Sequence, residues 1–545
     1  VRIVQLLVVI LAVWAVSASA VSAQQQPQVT RITGSITDTL WSKDYALPLI
    51  EGQSVLITVE ATSGTLDTYL ELYSPSNRLV AANDDRNTMG GIYDSALGYT
   101  APIGGTYTVR VTRYEQERGT STGDYVLTIT VGDESVLAAL ELLFTRVELS
   151  GPAQTIDTPN FRIHYTTQGR DAVEPDYLNA VVATVEEVWN IQINQMGWPP
   201  PPADNGAGGD NRYDIYIMDL IGSGEGALGI TAPENFVGDH PATPQVESNA
   251  STSYILIEND MDDVRRNNNA TAISLMRATV GHEFHHAVQF GFDAAEPNGW
   301  FFEATSTWME TAAMGKDEDA TGYVDVSYSY PEICFGTSSD PEGGAIRYGD
   351  WTFIEMLSLD YGMNAVQDLW RYIVDYDHLE ALNAFARARG ESMADIVARW
   401  RMRNLARDYV LAPRFNATVW LENTITRPGR WTFTGQGIQE LAANYFAFDA
   451  DPGLYYAGLV NDDGQLELYA AGVRGTVMDV FRLGRGGTFD TSNYDFFYLM
   501  VFKPQWDNDP ESCVYDRYDI DIAISKELPT QPQRSVSALH FAPLR

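Results

Sequence analysis

The hydrophobic periodicity changes twice along this 545-residue chain. That change limits its architecture more than any other feature. Alternating apolar and polar residues run through Ser54–Val59, Tyr69–Tyr73, Thr106–Val111 and Tyr125–Thr130, the period of half-buried strands. Asn160–Thr166, Tyr213–Asp219 and Tyr254–Glu258 read as further strands, and Tyr177–Met196 as an amphipathic helix. Helical spacing dominates from Ala270 to about Leu411, and strand spacing returns in Tyr445–Phe448, Leu466–Tyr469, Tyr498–Phe502 and Tyr518–Ile522. A chain of this length exceeds what one core supports. The pattern predicts a multidomain protein with an N-terminal β-sandwich over residues 28–132, a central α+β domain over 158–425 and a C-terminal β-sandwich over 428–525. Residues 526–545, with Pro529, Pro532 and Pro543, read as a loose tail.

Charge narrows the function. With 35 basic and 73 acidic side chains the chain carries −38. It repels phosphate backbones and anionic membrane surfaces, which argues against nucleic-acid partners and against membrane association once the leader is gone. The first residues, Val1 to Gln26, hold Arg2, an apolar run over Ile3–Val16 and the small-residue pattern Val21-Ser22-Ala23. They read as a signal peptide over residues 1–23, cleaved after Ala23, and predict a secreted or extracytoplasmic mature protein. The two cysteines, Cys334 and Cys513, exclude a disulfide scaffold and a cysteine-ligated zinc site. One bond between distant regions and two buried thiols both remain open.

The chemistry concentrates in Gly281–Glu310. His282 and His286 stand four residues apart, which on a helix puts both imidazoles on one face. Glu283 follows the first histidine, so its carboxylate can reach a water at the metal without ligating it. This is the HExxH arrangement of zinc hydrolases. A catalytic zinc takes a third protein ligand and keeps one position open. Glu303, seventeen residues beyond His286 on a second helix, is the candidate. Glu310 shares its face, and Asp293 and Glu296 in the intervening loop are poorer choices. His285 points about 100° away from His286 and reads as a packing residue. Among the other histidines His378 is a weaker site candidate, and His164, His240 and His540 have no supporting context.

These residues carry a resemblance. The runs His282-Glu283-Phe284-His285-His286, Ala287-Val288-Gln289-Phe290-Gly291 and Trp300–Glu310, with looser likeness at Tyr254–Asp260 and Tyr348-Gly349-Asp350-Trp351, resemble secreted bacterial zinc metalloproteases of the gluzincin type. The likeness covers about residues 158–410 and implies a zincin-like metalloprotease domain. By it, His282, His286 and Glu303 bind zinc, Glu283 is the general base, a polypeptide is the substrate, and Tyr254–Glu258 is the edge on which an extended substrate pairs. Tyr348 is the candidate donor to the oxyanion; a buried packing tyrosine is the competing reading. Two positions depart from the pattern: His285 replaces a usual aromatic, and Thr307 stands where many gluzincins place an Asp that orients a zinc histidine.

In the N-terminal block, Leu66-Asp67-Thr68-Tyr69-Leu70, Asn83-Asp84-Asp85, Tyr93-Asp94-Ser95 and Gly104-Gly105-Thr106-Tyr107 resemble the pre-peptidase C-terminal type of β-sandwich. Asp84, Asp85 and Asp94 could share a calcium ion, although turn and strand-capping roles are preferred. The reading is therefore a secreted zinc-dependent endopeptidase with Zn2+ and a Ca2+ option. The alternatives are an extracellular binding protein with a retired zinc site and a zinc hydrolase of a non-peptide bond.

Overall fold

The computed structural model describes residues 27–83, 94–114, 116, 119–133, 136–137, 146–204, 206–223, 226–261, 271–317, 319–341, 343–432, 435–527 and 538–543. The expected signal peptide, Asp84 and Asp85 lie outside them. Asp94 is described, and its carboxylate accepts the Ala61 amide at 2.7 Å, a capping role. The chain is multidomain, with β-sheets at both ends and a helical region in the middle.

The N-terminal sandwich has two four-stranded sheets. One runs Gln28–Ile36, Gly123–Gly132, Ser54–Ala61, Ser95–Thr100. The other runs Ser42–Leu49, Gly105–Arg113, Thr68–Tyr73, Leu79–Asn83. The alternation seen in the sequence puts Val55, Ile57 and Val59 opposite Val109 and Val111 in a core of its own.

The C-terminal part is built differently. Its larger sheet orders six strands: Leu421–Ile425, Ala443–Phe448, Phe496–Phe502, Glu467–Arg474, Val477–Gly484 and Leu539–His540. Phe446, Leu468, Leu499 and Val501 face the second sheet of the sandwich. Their alternates Tyr445, Tyr469, Met500 and Phe502 face the helices and join the central core. Burial on both faces explains why these strands are apolar nearly throughout. A disulfide between Cys334 and Cys513 ties the same sandwich to the helical region. The loose-tail expectation is corrected for its described residues: Leu539 and His540 pair with Met478 and Val477, and the Ala542 amide bonds the Ala406 carbonyl. Two apolar residues, Leu539 and Phe541, pack against the central core.

The central sheet orders Gly229–Gly238, Ala250–Glu258, Tyr213–Met218, Phe161–Tyr165 and Gln154–Asp157. The strand holding Tyr254–Glu258 is therefore an inner strand, paired on both sides, which corrects its reading as the substrate edge. The edge beside the site is Gly229–Gly238, antiparallel to its neighbour. The sequence hides this strand because Pro233 and two register shifts break its alternation, as an edge strand permits. The Arg146 guanidinium pins it by bonding both Glu234 oxygens, at 2.8 and 2.7 Å.

Against this sheet lies the helix Ala272–Asp293, which carries the histidines. Thr271 and Ser274 form a reciprocal capping box at its start, with bonds of 3.1 and 2.8 Å. The helix is buried on nearly every side, with Ile273 as its exposed large apolar residue. The helix Gly299–Met309 follows, capped by the Asn298 side chain on the Trp300 amide at 3.0 Å. Behind it Trp300, Phe335, Phe353 and Trp400 stack edge to face. Truncating either tryptophan would cost about 3–5 kcal/mol. Among the described residues no helix is long and apolar enough to cross a membrane.

Candidate metal centre

The two helices bring His282, His286 and Glu303 together, so that one donor atom from each lies within 4.8 Å of the others. His282 Nε2 is 3.1 Å from His286 Nε2 and 3.2 Å from Glu303 Oε2, and His286 Nε2 is 3.5 Å from the same oxygen. Donors held about 2.0–2.2 Å from a tetrahedral zinc stand roughly 3.3–3.6 Å apart, within a few tenths of an ångström of this triangle, which therefore suits that ion.

The far nitrogens are held as ligand imidazoles require. His282 Nδ1 faces Glu310 Oε1 at 2.9 Å, and His286 Nδ1 faces Gln289 Oε1 at 2.8 Å and Ser306 Oγ at 3.1 Å. Each Nε2 is thereby turned toward Glu303 Oε2. Glu310 opens a π-helical turn, Glu310–Met314, that continues the helix Gly299–Met309. Its carboxylate stands behind His282, while Thr307 Oγ1 is buried with no hydrogen-bond partner among the described residues. Gln289, three residues after His286, and Ser306, three after Glu303, were unremarked in the sequence. The i,i+3 spacing was the available signal.

Burial works against charge here, but the pairings outweigh it. His282 is desolvated, yet Glu303 and Glu310 at its two nitrogens lift its pKa well above the ordinary value. Burial raises the Glu303 carboxyl, and the bonds from His282 and His286 more than reverse this, holding it well below the carboxylate range.

Glu283 lines the same cleft beside the edge strand. Thr231 Oγ1 sits 2.7 Å from Glu283 Oε2 and 2.8 Å from the Glu283 carbonyl. Gly229 allows the approach, since a Cβ there would lie 2.6 Å from Glu283 Cγ. Neither residue was legible in the sequence. Tyr348, on the short helix Ile346–Gly349, stacks on His282 with ring centroids 6.0 Å apart. Burial and the Glu303 charge push its hydroxyl up, so it keeps its proton and can donate. The next residues fix it: a Cβ on Gly349 would lie 2.5 Å from the Tyr323 carbonyl, and Asp350 accepts the Trp300 indole at 3.0 Å.

The remaining candidates lie apart from the donor set. His285 is fully buried, bonds Gln192 at 3.1 Å through Nδ1 and packs edge-on to Trp198 at 4.7 Å. Burial, then the charges of His286 and His282, push it well below its ordinary pKa. Asp293 bonds Asn249, and Glu296 binds the backbone amides of Asn298 and His378. His164 pairs with Asp214, His240 with the Pro200 carbonyl, and His540 lies in the paired C-terminal strand.

No curated protein matches the chain. Among solved structures, an aminopeptidase N family protein from Idiomarina loihiensis is 8% identical, covering 89% of this chain and 95% of that one with a TM-score of 0.31. The ZmpB metallopeptidase from Clostridium perfringens is 10% identical, covering 89% and 93% with a TM-score of 0.24. The pre-peptidase C-terminal domain of a Bacillus anthracis collagenase is 19% identical, covering 18% and 87% with a TM-score of 0.16. Residues 170–450 match a family described as a family of unknown function (DUF6055). That segment holds His282, Glu283, His286, Glu303, Glu310 and Tyr348 and is more than half of the sequence, so the chain belongs to this family.

Proposed function

We propose that this protein is a secreted zinc-dependent endopeptidase, with His282, His286 and Glu303 as the metal ligands and Glu283 as the general base. The observation that carries the reading is the convergence of three donors at tetrahedral spacing, each imidazole backed by its own partner, with the Thr231-held Glu283 carboxylate alongside. Zinc, when bound, supplies Lewis-acid polarisation and acidifies water. Glu283 receives a proton at its carboxylate and returns it to the leaving amine, and Thr231 fixes the orientation of that carboxylate. Tyr348 donates to the oxygen on which charge develops. The outer edge of Gly229–Gly238 pairs with an extended polypeptide at its Gly229–Thr231 end, which lines the cleft, while its Phe236 end packs against the N-terminal sandwich. Phe290 and Phe302 wall a compartment of about 340 Å³ at the donors, and Leu228, Leu275 and Ala278 an adjoining one of about 300 Å³ that shares His282, Glu283 and Tyr348 with it.

The test is metal content and proteolysis measured together on the chain from Gln24 onward. One zinc per chain, cleavage of a denatured protein, inhibition by a chelator and loss of metal in Glu303→Ala are expected. Absence of zinc under metal-replete conditions would overturn the reading. Zinc without hydrolysis of any peptide would favour a non-peptide substrate.

A further inference from the structure

One charged side chain in this cleft takes no part in the chemistry above. Arg347 precedes Tyr348 on the short helix Ile346–Gly349, and its guanidinium lies over the Tyr348 ring, 5.4 Å from the centroid. It makes only a long ion pair with Glu303 Oε1, at 3.9 Å, too far for a hydrogen bond. Its Nε is buried without a partner, and the guanidinium donates no hydrogen bond among the described residues. The side chain is 29% exposed, so it is neither spent inside the fold nor free in solvent.

Arg347 lies in the 300 Å³ compartment, together with Leu228, Leu275, His282 and Glu283. The acids that share this space are already engaged. Glu310 holds His282 Nδ1 with one oxygen and the Asp319 amide with the other, and Asp319 has interactions of its own. The adjoining compartment, which shares His282, Glu283 and Tyr348 with this one, is lined by Phe290 and Phe302 and by no arginine or lysine among the described residues. A guanidinium presents donors in a rigid fork that matches a carboxylate, and here stacking on Tyr348 orients that fork in advance.

We infer that Arg347 is a specificity-determining residue that binds a carboxylate of the substrate next to the scissile bond. The substrate class is a polypeptide with Asp or Glu at that position, or a short peptide whose own terminal carboxylate reaches it. The inference rests on the peptidase reading above.

The test uses the metal-loaded full chain and a peptide library randomised on both sides of the cleaved bond, followed by peptide pairs differing only by Glu or Gln. Peptides with free and amidated C-termini separate the two sources of the carboxylate. Preference for the acidic member by about 10- to 100-fold in kcat/KM is expected, the range of a charge-assisted hydrogen bond. Arg347→Gln should bring the Glu-to-Gln ratio near one with zinc content retained, and Arg347→Lys should restore part of it. Sensitivity to amidation alone would identify the terminal carboxylate. A wild-type ratio near one, or a ratio that survives Arg347→Gln, overturns the assignment while leaving the peptidase reading standing. Loss of zinc in Arg347→Gln also overturns it, because Arg347 would then serve Glu303. A metal-loaded chain that cleaves no peptide ends both.

Discussion

The helix Ala272–Asp293 has three histidines within five residues, and its two sides treat them oppositely. On the side facing the second ligand helix, His282 and His286 each have one nitrogen held by protein and the other turned to a common point. On the side facing the core, His285 has one nitrogen on Gln192 and the other buried with no partner. An imidazole that ligates must have its second nitrogen fixed, because that bond sets tautomer and ring orientation. A packing imidazole can leave a nitrogen idle, provided it stays neutral, which the burial of His285 enforces. The difference between ligand and filler therefore lies less in the imidazole than in what stands behind it.

The strongest way to break this comparison is at Glu283, which belongs to the metal side but holds no metal in the proposed scheme. Glu283→Gln should retain zinc and lower kcat by about 10²- to 10⁴-fold. Retained activity would move the base elsewhere. Next in size is Glu310→Gln, which keeps the side-chain volume and removes the charge behind His282. Zinc affinity should fall by about 10- to 100-fold, measured by competition with a chromophoric chelator. An unchanged affinity would mean that the carboxylate behind His282 is dispensable.

Legibility in the sequence followed the same division. Spacing alone marked His282, Glu283 and His286, because a helix turns i and i+4 onto one face whatever surrounds it. The choice of Glu303 over Glu310 rested on nearness to the turn, and the structure brings Glu303 to the donors while Glu310 stands behind His282. Thr231 and Gly229 could not be read, since their place depends on a bulged edge strand whose alternation Pro233 interrupts. The two sandwiches were visible as period-two stretches. That one sheet of the second is buried on both faces was visible only as unusual apolarity, because a short apolar run does not say what covers it.

The end of the same helix offers a pH test. Burial pushes the Asp293 carboxyl up to about 7, against the pull of the Ala295 amide and the Asn249 side chain. The folded chain thus holds a proton that the unfolded chain, titrating near 3.8, releases earlier. This contribution is complete below about pH 4 and fades as pH rises to about 7, with a slope of up to about 1.4 kcal/mol per pH unit. Asp293→Asn has no such proton. The stability of wild type minus that of the variant, from denaturant titrations, should fall between pH 4 and 7 and level off above. Taking the difference cancels the titration of His282, His286 and Glu303, which is common to both. A difference that is flat with pH would show that Asp293 is ionised in the folded chain throughout.

The smallest effect is expected at His285, and it tests the comparison most directly. His285→Phe keeps an aromatic ring against Trp198 and removes the idle nitrogen, a gain. It also strips Gln192 Oε1 of its partner, a loss, while Gln192 Nε2 can still donate to the Gly281 carbonyl that it bonds at 2.8 Å. An unsatisfied buried acceptor costs about 1–3 kcal/mol, and relief of the orphaned nitrogen offsets part of that. The net change in unfolding free energy should be about 1 kcal/mol, with zinc stoichiometry and kcat/KM unaltered. The same substitution at His282 removes a ligand and should abolish zinc binding. If His285→Phe lost zinc as His282→Phe does, the core-facing side of the helix would be part of the metal centre, and the division between ligand and filler would fail.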